Sequence, residues 1–551
     1  MTLLMTAVLT LGQLSGQASL LPQGSPLRLQ AATYAESVRV GIYYGKDNVS
    51  TVSLRSDTGL TLAATAADGV VTQVWDQADA NVCVVRKDAW FVRTPDGKTQ
   101  EYAPAAGVPV AGDTSGPFHL RMGDRQPDYA TASGVAGVLR KSGIRAYAAY
   151  EDGWYVWSGF YVDVNAANAG KQVAADLSGS SNITVIASSA TRLVILDSNL
   201  EPVCVYGGTN GALTAVAKNG ADLLVVNGKR YRGTMEFTRY SDSDLTLVNT
   251  LAIEPYLYGV VPSEIQASSP PEAIKAQAVA ARTYTLKNIG KYKKWGFDLT
   301  DTIESQVYSG YEGEKVQSNL AVDATRGQKA MYNGELASLF YFSSSGGMTE
   351  DNVNVWGTPY PYLKSVPDPY EAKNSYNYYW QKVLTAADVE RYLITAGVDL
   401  GSILTISTLE FSAAKRVTKL KITGTKGSMT FQRDACRTLL EFPSQMYTLG
   451  GTENMAVLGA DGTIADVKPA GLAVLSADGS SVVPADGNSV VAVGRDNGLA
   501  YTGTATGLFV FTGYGWGHGV GMSQEGAKGF AANGLTYDQI LAHYFPGIVL
   551  Q

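Results

Sequence analysis

The sequence predicts a β-rich α+β protein built from several domains, and three observations carry that reading. The chain has 551 residues, enough for two to four domains of ordinary size. Short apolar runs punctuated by Gly, Asp and Asn recur from Ser37 to Leu245 and again from Met455 to Leu508, the pattern of strands joined by tight turns. Against that background, one breaker-free stretch from Pro271 to about Lys287, rich in alanine, reads as a long helix.

The elements follow in order. Leu3-Leu-Met-Thr-Ala-Val-Leu-Thr-Leu-Gly, then Ser15-Gly-Gln-Ala-Ser, has the apolar core and small residues of a signal-like leader over 1–30, without the usual basic start. No later segment has the ~18 consecutive apolar residues of a membrane span. Residues 31–110 carry short runs such as Val38-Arg-Val-Gly-Ile-Tyr-Tyr and Val82 to Val85, a small β-rich module. Between 111 and 192 the order is a helix over Tyr129–Leu139, a hairpin turning at Asp152-Gly153, a helix over Val164–Leu177 and a strand from Ile183. Trp154, Tyr155, Trp157, Phe160 and Tyr161 on this hairpin either stack on sugar rings or fill a core, since alternation exposes only one set.

The largest unit spans 193–551. The apolar run ending at Val261 reads as a strand that delivers Glu264 to a turn. Ser268 or Ser269 then caps a helix whose first turn holds Pro270-Pro271. Ile274, Ala278, Ala281 and Thr285 form a small-residue stripe, with Ala273, Ala276, Ala280 and Tyr284 beside it, which lets another element approach closely. A carboxylate held ahead of a buried helix suits a general acid, because burial disfavours its charged form; taken alone, such a Glu is more often a cap or a solvated turn residue. Further on, Ser343-Ser-Ser-Gly-Gly-Met-Thr-Glu is a loop whose glycines allow close backbone approach. Asp461-Gly462, Asp478-Gly479, Asp486-Gly487 and Asn497-Gly498 mark hairpins of a β-rich insertion near 455–508. Glycines around His518 expose its imidazole, and a last helix starts at Thr536 with Gln539 completing a capping box.

A net charge of −7 and a pI near 5.2, with no long basic run, disfavour nucleic acid as a partner. Cys83, Cys204 and Cys436 lie far apart, and with only His119, His518 and His543 no metal site or disulfide framework is suggested. No cofactor is expected.

Tyr256, Leu257, Gly259, Val260, Val261 and Glu264, followed by Ala273, Lys275, Ala276, Gln277, Ala278, Ala280, Arg282 and Thr283, resemble the signature of the SpoIID/LytB (stage II sporulation protein D) family. Asp301-Thr-Ile-Glu-Ser-Gln-Val-Tyr-Ser-Gly and Gly513-Tyr-Gly-Trp-Gly-His-Gly-Val-Gly-Met-Ser-Gln-Glu-Gly-Ala extend the resemblance. It implies a peptidoglycan lytic transglycosylase that cleaves MurNAc–GlcNAc bonds of stem-peptide-free strands and leaves anhydro-MurNAc ends. Glu264 is the implied catalytic acid, and Arg282, Gln306, Tyr308, Ser345, Thr349, Tyr362, Lys364, His518 and Gln524 are implied substrate-binding or site-lining positions. Some relatives hold zinc just beyond the Gln-x-Tyr phrase; Asp301 to Lys315 contains neither Cys nor His, so no metal is expected here. LytB-type relatives imply an alternative, a non-catalytic modifier of a cell-wall amidase. The Asp-Gly-Trp-Tyr-Val and Gly-Phe-Tyr phrases of 111–192 resemble a SPOR domain, which implies a glycan-binding module. The implied setting is secreted or wall-associated, in sporulation or wall remodelling, with retention through an uncleaved leader as a variant.

Overall fold

The computed structural model describes residues 37–65, 70–209, 211–240, 244–450 and 508–551, with six short strands between 455 and 502. The leader expected over 1–30 lies outside the described residues. The chain is mixed α+β and strand-rich. Its described residues fall into two compact units, one comprising 43–228 and 233–248, the other 37–42, 229–232 and 249–551.

In the first unit, β1 (Phe118–Met122), α1 (Tyr129–Lys141), β2 (Ala146–Tyr150), β3 (Trp154–Tyr161), α2 (Val164–Ser178) and β4 (Ile183–Ile186) make a β-α-β-β-α-β unit with strand order β4-β1-β3-β2. Asp128 and Asp163 start the two helices by accepting the amides of Thr131 and Ala166 at 2.8 and 2.7 Å. The helices, hairpin and last strand match the sequence reading. The opening strand was not foreseen, because Phe-His-Leu-Arg-Met is too short and mixed to show a period. β2 continues the sheet, pairing parallel with Pro202–Tyr206, and beyond that come Leu193–Leu196, Cys83–Lys87, Thr51–Arg55 and Leu224–Val226. The segment 111–192 therefore shares one sheet with strands that precede and follow it. Trp154 and Trp157 point into the core, while Tyr155, Phe160 and Tyr161 stay half-exposed.

The second unit is built on helices around Glu264. The run Ile253–Glu264 is a helix, α3, not the expected strand. Its buried apolar residues Ile253, Tyr256, Leu257, Val260 and Val261 follow the i, i+3, i+4, i+7, i+8 spacing of a helix face, and this outweighs the β-branched valines. The next helix, α4 (Pro271–Lys287), is capped differently from the sequence reading. Pro270 is the N-cap, no side chain caps the helix, and Ser269 Oγ is buried without a partner. Pro270 itself occupies the N-cap position, so Ser269 and Ser268 lie one and two residues too early to cap. α4 is buried almost all round, from Ala273 to Thr283 with the exception of Lys275. It packs against α3, α5 (Val316–Ala324), α6 (Gln524–Ala532) and α7 (Tyr537–Tyr544). The alanine content is what lets four helices approach one axis. Thr536 donates its amide to Gln539 Oε1 at 3.0 Å, as the capping pattern anticipates.

Two short strands, β5 (Tyr341–Phe342) and β6 (Met522–Ser523), pair in parallel. A separate core forms where Trp380, Phe442, Tyr447 and Phe511 pack together. The insertion contributes three two-stranded hairpins, 455–467, 473–482 and 490–502. Asp486-Gly487, expected as a further hairpin turn, lies outside the described residues.

Candidate functional site

Glu264 is the last residue of α3, so its carboxyl sits at the negative end of the helix dipole, where a carboxylate is disfavoured. The helix ends here for a local reason. Pro262 has no amide to donate to the Tyr258 carbonyl, and the next carbonyl, Gly259 O, accepts from Ser263 Oγ at 3.0 Å and Ser309 N at 3.3 Å. Burial lifts the Glu264 carboxyl above the ordinary carboxylate range. Hydrogen bonds from Val307 N, at 3.0 Å, and from the Gln524 side chain pull the other way without cancelling it. Tyr256, Tyr284 and Tyr341 lie near enough for its charge to raise their phenols, Tyr284 to about 12, with burial the larger cause in each.

Gln306 is fully engaged beside it. Its Nε2 donates to Thr285 Oγ1 at 2.9 Å and Tyr256 Oη at 3.2 Å, and its Oε1 accepts from Tyr341 Oη at 2.8 Å. Tyr341 in turn joins the site to His518. The imidazole Nδ1 accepts from Val520 N at 3.1 Å, which leaves Nε2–H to donate to the Tyr341 carbonyl. Both ring nitrogens are thereby spent on the protein. Burial, aided by the charges of Arg437 and Arg416, pushes the His518 pKa down to about 3, so the ring is neutral at physiological pH.

The Ser/Gly loop and the His518 segment interlock through backbone. Ser344 N donates to Trp516 O at 3.0 Å, Trp516 N to Ser344 O at 2.8 Å and Glu350 N to Gly519 O at 2.7 Å. Gly515 has φ +79°, and a Cβ there would stand 2.7 Å from Ser344 O. Gly517, at φ +112°, would place one 2.7 Å from Phe342 Cβ.

Contacts thus bring together Glu264, Gln306, His518 and Gln524 of the sequence-derived positions. The others are tied elsewhere. Arg282, 1% exposed, forms a two-pronged ion pair with Glu254 at 2.9 and 2.7 Å and donates to the carbonyls of Gln328 and Val322. Tyr308 is the partial exception: its Oη donates to Asn249 at 2.8 Å, but its ring packs on Tyr256, centroids 5.0 Å apart. Buried Ser345 donates to Glu371 at 2.6 Å and Asp368 at 2.9 Å, and burial beside Glu371 pushes Asp368 up to about 7. Thr349, also buried, accepts from Val366 N at 2.8 Å. Tyr362 Oη accepts from Ser338 N at 2.9 Å, its ring against Tyr332. Lys364 pairs with Asp351 at 2.8 Å. Sequence reasoning missed Tyr341, which looked like strand filler between Phe340 and Phe342, and Glu254, whose spacing from Arg282 gives no local signal. An open cavity of about 350 Å³ beside the His518 segment is lined by Arg437, Glu441, Phe442 and Trp516. Among the described residues no cluster of His, Cys, Asp and Glu has the makings of a metal site, and no helix is long and apolar enough to cross a membrane.

Fold and site define an α+β protein with one half-buried carboxylic acid set among amides and phenols. The SpoIID model, described as stage II sporulation protein, matches residues 241–332, which carry Glu264, Arg282 and Gln306 and end before Tyr341. The chain is 30% identical over 315 residues to stage II sporulation protein D of Bacillus subtilis, covering 54% of this chain and 74% of that protein. It is equally identical over 366 residues to the amidase enhancer of the same organism, covering 64% of this chain and 48% of that protein. A protein of Brachyspira hyodysenteriae without a described function is 30% identical over 330 residues, 59% of this chain and 74% of its own length. The chain belongs to the stage II sporulation protein D family.

Proposed function

We propose that this chain is a lytic transglycosylase acting on stem-peptide-free peptidoglycan strands at the cell wall, in sporulation or wall remodelling. The observation that carries the reading is the raised carboxyl of Glu264 at the end of α3, where four sequence segments meet. Protonated Glu264 donates to the oxygen joining MurNAc C1 to GlcNAc, and the C1–O bond breaks. The C6 hydroxyl of the same MurNAc attacks C1 and returns its proton to Glu264, leaving a 1,6-anhydro end and a free GlcNAc hydroxyl. No water is consumed, so the second carboxylate that glycoside hydrolysis normally needs has no task. Val307 N and Gln524 hold the acid, Gln306 and Tyr341 stand beside it, and neutral His518 holds Tyr341. Trp516, 42% exposed beside the open cavity, offers a face on which a neighbouring sugar stacks. Residues 111–192, with their SPOR-like strand and helix order, are read as a glycan-holding module.

Digestion of stem-peptide-free strands with product analysis by mass tests this. Anhydro ends from the natural chain and none from Glu264→Gln are expected; ordinary reducing ends would refute the mechanism. A second reading draws on the amidase enhancer relative, which aligns with more of this chain than the sporulation protein does. An uncut substrate together with stimulation of a purified cell-wall amidase, unchanged in Glu264→Gln, would favour that reading.

A further inference from the structure

The first unit holds a cavity of about 220 Å³ that nothing above uses. Arg86 enters it from the strand Cys83–Lys87. It is only 9% exposed, its Nε is buried without a hydrogen-bond partner, and its guanidinium lies 4.2 Å over the Phe91 ring. Asp88, two residues on, gives its Oδ2 to His119 and Arg192, at 2.9 and 3.0 Å, and its buried Oδ1 makes no hydrogen bond to Arg86. A buried cation without an acceptor is costly, and proteins keep such groups where something else supplies the acceptor.

Two more arginines line the cavity, but both lean on Glu201: Arg145 at 3.2 Å and Arg93 at 3.9 Å. Asp113 completes the charged lining. Three arginines against two carboxylates leave one positive charge, which suits a monoanion better than a dianionic phosphate. The volume is below the roughly 300–1,000 Å³ of drug-sized pockets, so it admits a single ring or an amino-acid-sized group. Phe91 and Phe160 provide apolar walls.

We propose that this cavity binds a small organic carboxylate, with Arg86 as its anchor through a paired N–H···O contact. Its residues come from strands before, within and after 111–192, so it is not the surface of that segment alone. Nor does it depend on the lytic reading, since Glu264 has no part in it.

The test is calorimetric titration of the full chain with N-acetylmuramic acid, N-acetyl-D-alanyl-D-alanine, N-acetylglucosamine and inorganic phosphate. One or both carboxylates should bind, their relative affinity telling a sugar from a peptide source, and N-acetylglucosamine should not. Arg86→Gln should weaken binding at least tenfold, and Glu264→Gln should leave it unchanged. Thr114→Trp, which fills the cavity from an exposed edge strand, decides the matter if Arg86→Gln does not melt cooperatively. Equal binding of N-acetylglucosamine, tighter binding of phosphate, wild-type binding by both cavity variants, or no binding of either carboxylate would each overturn the proposal.

Discussion

Arg282 and Glu254 show how a charged residue within a family phrase can serve the frame. Both prongs of the guanidinium are met, and its other donors go to backbone carbonyls at the end of α5 and beyond, so nothing is left for a glycan. Removing one partner strands the other in a poorly solvated site, at a cost of about 3–5 kcal/mol. Glu254→Gln should therefore lower the urea midpoint by that equivalent while KM of the surviving folded enzyme stays put; a raised KM at unchanged stability would return Arg282 to the substrate. His518 makes a second prediction. Its folded pKa of about 3 lies below its ordinary 6.5, so the unfolded chain takes up a proton first as pH falls. The contribution is complete above about pH 6.5 and drains away between 6.5 and 3. His518→Gln should lose less stability than the natural chain between pH 7 and pH 4.5, measured by urea unfolding at each. If the proposed lytic reaction is the chain's activity, a falling limb with rising pH should belong to Glu264, the raised acid, and not to His518, which is neutral there. These assignments were partly legible in the residues: Glu264 and Gln306 stood in recognisable phrases, whereas the Arg282 ion pair joins two helices and has no linear signature.

At the scale of elements, the site depends on two loops that can interlock only where side chains are missing. Gly517 is the sharpest case, with a positive φ and Phe342 where its Cβ would go. Phe342 neighbours Tyr341, whose hydroxyl and carbonyl join Gln306 to His518. Gly517→Ala should cost roughly 1–3 kcal/mol of stability from backbone strain. Because β5 must shift to accept the methyl, it should also lower kcat of the folded fraction about tenfold, a barrier raised by about 1.4 kcal/mol. Full activity in the folded variant would show that β5 does not position the acid. The glycine-rich phrase was visible as sequence, and so was the long alanine helix. The strand expected before Glu264 was misread because Val260-Val261 suggested β structure; the 3-4 spacing from Ile253 to Val261 held the better answer. The serine cap failed for a related reason, a proline having taken the place where a cap would count.

Across the whole molecule, the main question is whether residues 111–192 are a separable module or part of a larger sheet. Their β-α-β-β-α-β order is complete in itself, which is why the segment is readable from its helices and its Asp-Gly turn. Two features bind it to its neighbours in the first unit. β2 is no edge, because Ala148 to Tyr150 pair with Cys204 to Tyr206. Within the core, Asp88 holds His119 at 2.9 Å and Arg192 at 3.0 Å, and His119 reaches Tyr147 at 2.6 Å. Asp88 lies outside the segment while its partners lie inside and are buried, so excision would leave polar groups unpaired at about 1–3 kcal/mol each, as well as an open strand edge. A domain of that size has little reserve against such losses, since net stability is only about 5–15 kcal/mol. The fragment 43–248 should therefore melt cooperatively by circular dichroism, and 111–192 alone should show a broad, non-cooperative transition with poor amide dispersion by NMR. Restoring an acid cannot be done by ligand, so the contrast should persist with glycan strands present; a sharp melt of the isolated 111–192 would mean that the extended sheet is an annexe to an autonomous module.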